Sequence, residues 1–105
     1  MGIAMAAKNT IKNRINKILS KVTNGLHSDE YWKPVHEAFK SLEQAGYHVS
    51  IESSEYRHEN GVMVDKKWLY NVSAEGYVFY GVLTAHGAGT VNDPLSKYDI
   101  SAYVS

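Results

Sequence analysis

The chain has 105 residues, enough for one domain with a modest core that folds without staples. It contains no cysteine, which excludes disulfides, thiolate metal sites, iron–sulfur clusters and thiol catalysis. The formal net charge is zero but unevenly spread: residues 1–28 carry Lys8, Lys12, Arg14, Lys17 and Lys21 and no acid, while the rest carries six basic and eleven acidic side chains.

The opening stretch, Met1 to Ala7, is apolar but too short for a signal peptide and has no basic segment before it. Ala6 stands where a myristoylation motif wants Ser or Thr. No apolar run approaches the roughly 18 residues of a membrane span. The expectation is a cytoplasmic protein with no membrane partner.

Taken in chain order, residues 1–9 carry no periodic signal and are expected to lie outside the ordered domain. Thr10 to Val22 then reads as an amphipathic helix. Ile11, Ile15, Ile18, Leu19, Val22 and Leu26 project onto one stripe. Asn13, Asn16, Ser20 and Asn24 lie opposite, Arg14, Lys17 and Lys21 line one shoulder, and Asn24-Gly25 is the expected stop. Ser28-Asp29 reads as a second helix cap. Trp32, Val35, Phe39 and Leu42 repeat at three and four, with Tyr31 and Ala38 on the flank. Pro34 is tolerated because it falls in a first turn, and Gly46 ends the helix.

From Tyr47 the period changes to two. Tyr47, Val49 and Ile51 alternate with His48, Ser50 and Glu52, and Glu59-Asn60-Gly61 marks a turn. Lys67 to Ala74 sets Trp68, Tyr70 and Val72 against Leu69, Asn71 and Ser73. Glu75-Gly76 suits a tight hairpin into Tyr77–His86. Gly87-Ala88-Gly89 with Asn92-Asp93-Pro94 reads as a loop, and Lys97–Val104 as the last strand. The predicted fold is a single α+β domain: two N-terminal helices packed on one face of a four-stranded antiparallel meander, a two-layer sandwich.

The Tyr77–His86 strand is apolar on both sides. With Tyr77, Phe79 and Leu83 toward the helices, Val78, Tyr80 and Val82 face away, near Leu69 and Tyr103. Two helices cover only one face, so the second has no partner within the chain. Tyrosine is favoured in interfaces because it supplies large contact area at low entropy cost. Leu69, Val78, Tyr80, Val82 and Tyr103 are therefore the candidate protein-interface residues, for a second copy or a larger protein. The expected role is a non-catalytic interaction domain, in the format of small accessory and inhibitor proteins of phages and other mobile elements. A one-residue register shift would exchange the two faces.

Two other chemistries have candidate residues. Arg14, Lys17 and Lys21 form a basic helix face suited to a phosphate backbone, although a solvated face is the ordinary explanation and the whole chain has no basic excess. Glu55, Arg57, His58 and His86 are residue types that a metal-independent ribonuclease places on an antiparallel sheet after N-terminal helices. In layout alone the chain is similar to barnase-like and bacterial-toxin ribonucleases, with no motif shared. The five histidines show no metal-ligand spacing, and Gly87-Ala88-Gly89 leads into no helix that would cradle a phosphate. No metal or cofactor is expected.

Overall fold

The computed structural model describes residues 2–28, 32–59, 62–87 and 97–105. Seven elements follow in order: α1 (Gly2–Val22), β1 (Gly25–Ser28), α2 (Trp32–Gln44), β2 (His48–Glu59), β3 (Val62–Ala74), β4 (Tyr77–Gly87) and β5 (Lys97–Val104). The strands form one antiparallel sheet in the order β1-β5-β4-β3-β2. The expected meander is there as β2 to β5, with the helices on one face. α1 lies against β5 and α2, and α2 against α1 and β2.

The apolar stripes meet where their periods require. Ile11, Ile15 and Leu19 of α1 and Val35, Ala38 and Leu42 of α2 are buried against one face of the sheet. That face carries Trp68, Tyr70, Val72, Phe79, Leu83, Ile100 and Val104, each at a period-two position of its strand. The pairings Val72–Phe79, Trp68–Leu83 and Leu83–Ala102 join residues of the same face, so the register and the burial agree.

Local chemistry closes the elements. α2 ends in a Schellman arrangement: the Tyr47 amide donates to the Leu42 carbonyl (3.1 Å), the Gly46 amide donates to Glu43 (3.0 Å), and Gly46 has φ 93°. Glu75 and Gly76 both have positive φ, as a two-residue hairpin between right-twisted strands demands. Buried Thr23 ends α1 by donating its hydroxyl to the Leu19 carbonyl at 2.6 Å.

Four expectations are corrected or extended. α1 begins at Gly2, well ahead of Thr10. Leu26 does not continue the helical stripe; Gly25–Ser28 turns into a fifth strand that pairs with Lys97–Ile100. Trp32 is not a core residue but half-exposed. The β2–β3 hairpin runs through Ser53–Glu59 and Val62–Lys66, which show no alternation in sequence. Asp29 of the expected cap, Asn60-Gly61 of the expected turn and residues 88–96 of the expected loop lie outside the described residues. No helix among the described residues is long and apolar enough to cross a membrane.

The lengths of the elements shape the rest. α2 has 13 residues, about 20 Å of helix, whereas β3 has the same number and spans about 43 Å. β2, β3 and β4 therefore outrun α2, and the molecule is elongated, 53 × 23 × 22 Å.

Candidate interaction surface

The face of the sheet away from the helices gathers the five residues singled out from sequence. Leu69, Val82 and Tyr103 are direct cross-strand neighbours on β3, β4 and β5. Tyr80 and Val78 continue the row along β4. Tyr80 is 63 % exposed, Tyr103 54 % and Val78 46 %, while Leu69 and Val82 are partly covered. A shallow recess of about 260 Å³ opens between Leu69, Tyr80, Val82 and Tyr103, with Glu52 and Ser105 also lining it. Glu52 sits at a bulge in β2, between the pairs Ile51–Tyr70 and Ser53–Leu69, and accepts a hydrogen bond from Asn71 Nδ2 at 2.6 Å.

The patch rests on a rigid layer. Tyr70 points to the helix side and lies flat across Gly81, where a side chain would leave no room for its ring. Its hydroxyl donates to the Tyr103 carbonyl at 3.1 Å, and Phe39 meets the ring edge-on with centroids 5.1 Å apart. Burial pushes the Tyr70 phenol well above its ordinary pKa, so it stays a neutral donor.

Beyond the helices the same open face turns polar. Arg57, Asp65 and His86 are cross-strand neighbours on β2, β3 and β4. Asp65 accepts from Arg57 Nε through one oxygen and pairs with His86 Nδ1 through the other, and Arg57 also holds Glu59. Partial burial works against the charged Asp65. The hydrogen bonds from Arg57 and His86, with their attraction, outweigh it and hold the carboxyl below its ordinary pKa. Of the four ribonuclease candidates, Glu55, Arg57 and His86 thus share this face. His58 does not join them; it lies beside the Tyr56 ring, centroids 6.2 Å apart. Arg57 is paired with two carboxylates, and His86 with one of them.

A second hollow lies on the helix side, a groove of about 380 Å³ between α2 and the hairpin. Trp32, His36 and Phe39 form one wall, and Ile51 and Trp68 the floor. Lys66 holds its ammonium over both Tyr56 (4.4 Å to the ring centroid) and Trp68 (4.7 Å). The Lys66 hydrogen bond, with one from Ser54, lowers the Tyr56 phenol below its ordinary pKa. Nothing in the sequence marks this groove, because its apolar residues Trp32, Val35, Phe39 and Trp68 have core periodicity.

Arg14, Lys17 and Lys21 are all exposed on α1. Among the described residues, no group of three His, Asp or Glu is placed to hold a metal ion. Compared with protein-family models, with curated proteins and with solved structures, the chain matches none.

Proposed function

We propose that the chain is a non-catalytic protein-interaction domain that pairs with a second copy of itself through the open sheet face. The observation that supports this is the contiguous row of Leu69, Val82 and Tyr103, extended by Tyr80 and Val78, on a face that neither helix covers. Aromatic side chains in an otherwise polar surround have the composition of an interface centre.

Size and charge favour a second copy. Eleven residues of β4 at about 3.3 Å each, across four strands about 4.8 Å apart, give the face roughly 700 Å² in projection. A standard interface takes about 800 Å² from each partner. A net charge of zero puts little long-range repulsion between copies. Two sheets stacked face to face about 10 Å apart would bury the tyrosines on a two-fold axis. A cysteine-free chain of this kind suits the cytoplasm, and the format is that of a small accessory or inhibitor protein.

Light scattering on the eluting protein tests the reading. The wild type is expected at the dimer mass at tens of micromolar. Tyr80→Asp is expected at the monomer mass with unchanged far-ultraviolet circular dichroism. A monomeric wild type, or a dimer indifferent to Tyr80→Asp, overturns self-pairing through this face.

A further inference from the structure

The six large hydrophobic residues most exposed among those described fall into two groups. Val78, Tyr80 and Tyr103 belong to the open face; Trp32 and Ile51 line the groove on the helix side, and Tyr56 lies next to it with the Lys66 ammonium over its ring. We infer that this groove takes an extended segment of a partner protein, apolar and acidic on one side, which adds as a sixth strand to the edge of β2. This goes beyond the self-pairing face and does not depend on it.

Three features of the groove agree on such a ligand. The first is the edge. β2 ends the sheet, and among the described residues no strand pairs with its outer side. An unpaired edge presents a row of amides and carbonyls that an extended chain can satisfy. The β2–β3 register shifts twice, at Glu52 of β2, between the pairs of Ile51 and Ser53, and at Val64 of β3, between the pairs of Arg57 and His58. The regular stretch between them, Ser53–Arg57, is five residues, close to the usual length of one strand.

The second feature is the pocket beside that edge. α2 lies along the sheet with Trp32, His36, Lys40 and Glu43 turned to the groove, which is helical spacing along one side. An added strand would run along the outer edge of β2, beside this side of α2. Every second side chain would drop onto Trp68, Ile51 and Phe39, so main-chain pairing supplies affinity and the pocket supplies selection.

Charge gives the third feature. Lys40 and Lys66 border the groove against the single acid Glu43, an excess of one positive charge. A carboxylate two residues from the apolar anchor lies on the same side of the strand and meets one of these lysines. A second copy of β2 fits poorly. Its residues on the helix side between the bulges are Ser54 and Tyr56, which offer no carboxylate, and its Glu55 lies on the opposite side of the strand.

The experiment selects from a library of random peptides, displayed on phage, over the immobilised full chain. The peptides recovered are expected to share an apolar residue with Asp or Glu two positions away. The tightest, made synthetically, should lose at least tenfold in affinity for Ile51→Asp and for Lys40→Glu, both exposed positions that leave the fold intact by circular dichroism. Its affinity for Tyr80→Asp should be unchanged, which separates this site from the self-pairing face. Bound peptide should slow hydrogen exchange at amides within Ser53–Arg57. The inference is overturned by recovering no peptide that prefers the wild type over Ile51→Asp. It is equally overturned by a basic residue in place of the acid, or by binding that leaves the β2 amides unprotected.

Discussion

Gly81→Ala should be among the most damaging single-methyl changes in the molecule. A Cβ on Gly81 would stand 2.5 Å from Cε2 and 2.8 Å from the hydroxyl oxygen of Tyr70, with Cζ nearer still. Carbon atoms in good contact keep about 3.5–4.0 Å. Tyr70 is buried, with Phe39 against its ring and its hydroxyl on the Tyr103 carbonyl, so it cannot swing aside without loss. Overpacking costs about 1–3 kcal/mol. Displacing the ring adds about 1–3 kcal/mol for the buried hydroxyl left without a partner. The smaller backbone entropy of Ala returns about 0.5–1 kcal/mol. The net cost is about 2–4 kcal/mol, a large share of the roughly 5–15 kcal/mol that holds a domain of this size. Urea unfolding followed by tryptophan fluorescence measures it, and an unchanged slope would show that the unfolded state is not responsible. The same substitution in a Tyr70→Leu background, where the ring is gone, should cost under about 1 kcal/mol. Equal costs in the two backgrounds would refute the account, because the clash would then not be with Tyr70.

Two further perturbations test other contacts. Asn16→Ala removes a side chain whose amide bonds both the N–H (2.8 Å) and the C=O (3.2 Å) of Val104, and should cost about 1–2 kcal/mol in urea unfolding. Faster hydrogen exchange at the Val104 amide should accompany it, and unchanged exchange there would remove the assigned role. Asp65 has a folded pKa below its unfolded value, so its contribution is full above about pH 4 and disappears as pH falls through the folded pKa. The stability difference between wild type and Asp65→Asn should be present at pH 6 and vanish toward pH 2; a gap that stays constant with pH would show that the carboxylate charge is not what matters.

The sheet half was legible wherever one face is buried. Trp68, Tyr70 and Val72 must share a side, and so must Tyr98, Ile100, Ala102 and Val104, because a strand without a bulge alternates strictly. Which of the two sides meets the helices is shown by the burial of Trp68, Tyr70, Val72, Ile100 and Val104. β1 was not legible for the opposite reason. Four residues are too few for a period, and Leu26 happens to fall in phase with Ile15, Leu19 and Val22. Only pairing with Lys97–Ile100, distant in sequence, shows it to be a strand. The asparagines of α1 read as a polar helix face. In fact β1 stops short of the end of β5, and Asn16 and Asn24 bond the backbone of Val104 and Ala102 there. That closes an edge on which other strands would otherwise pair.

The same reasoning separates the two surfaces. Val78, Tyr80 and Val82 were placed on the open face by parity within one strand, and Leu69 and Tyr103 follow because cross-strand partners share a face. Nothing comparable points to the groove. Trp32, Phe39 and Trp68 sit at positions that a helix or strand would bury, and periodicity says which way a side chain points without saying whether anything lies beyond it. What leaves Trp32 and Phe39 partly uncovered is a difference in rise, about 1.5 Å per residue in α2 against about 3.3 Å in β2 and β3. The polar stretch Ser53–Glu59 hid that difference, since a strand exposed on both faces has no alternation. Once the hairpin is known to extend past α2, part of its core face is left open along the side of the helix. The floor of the groove must be apolar, because it is the continuation of the core face.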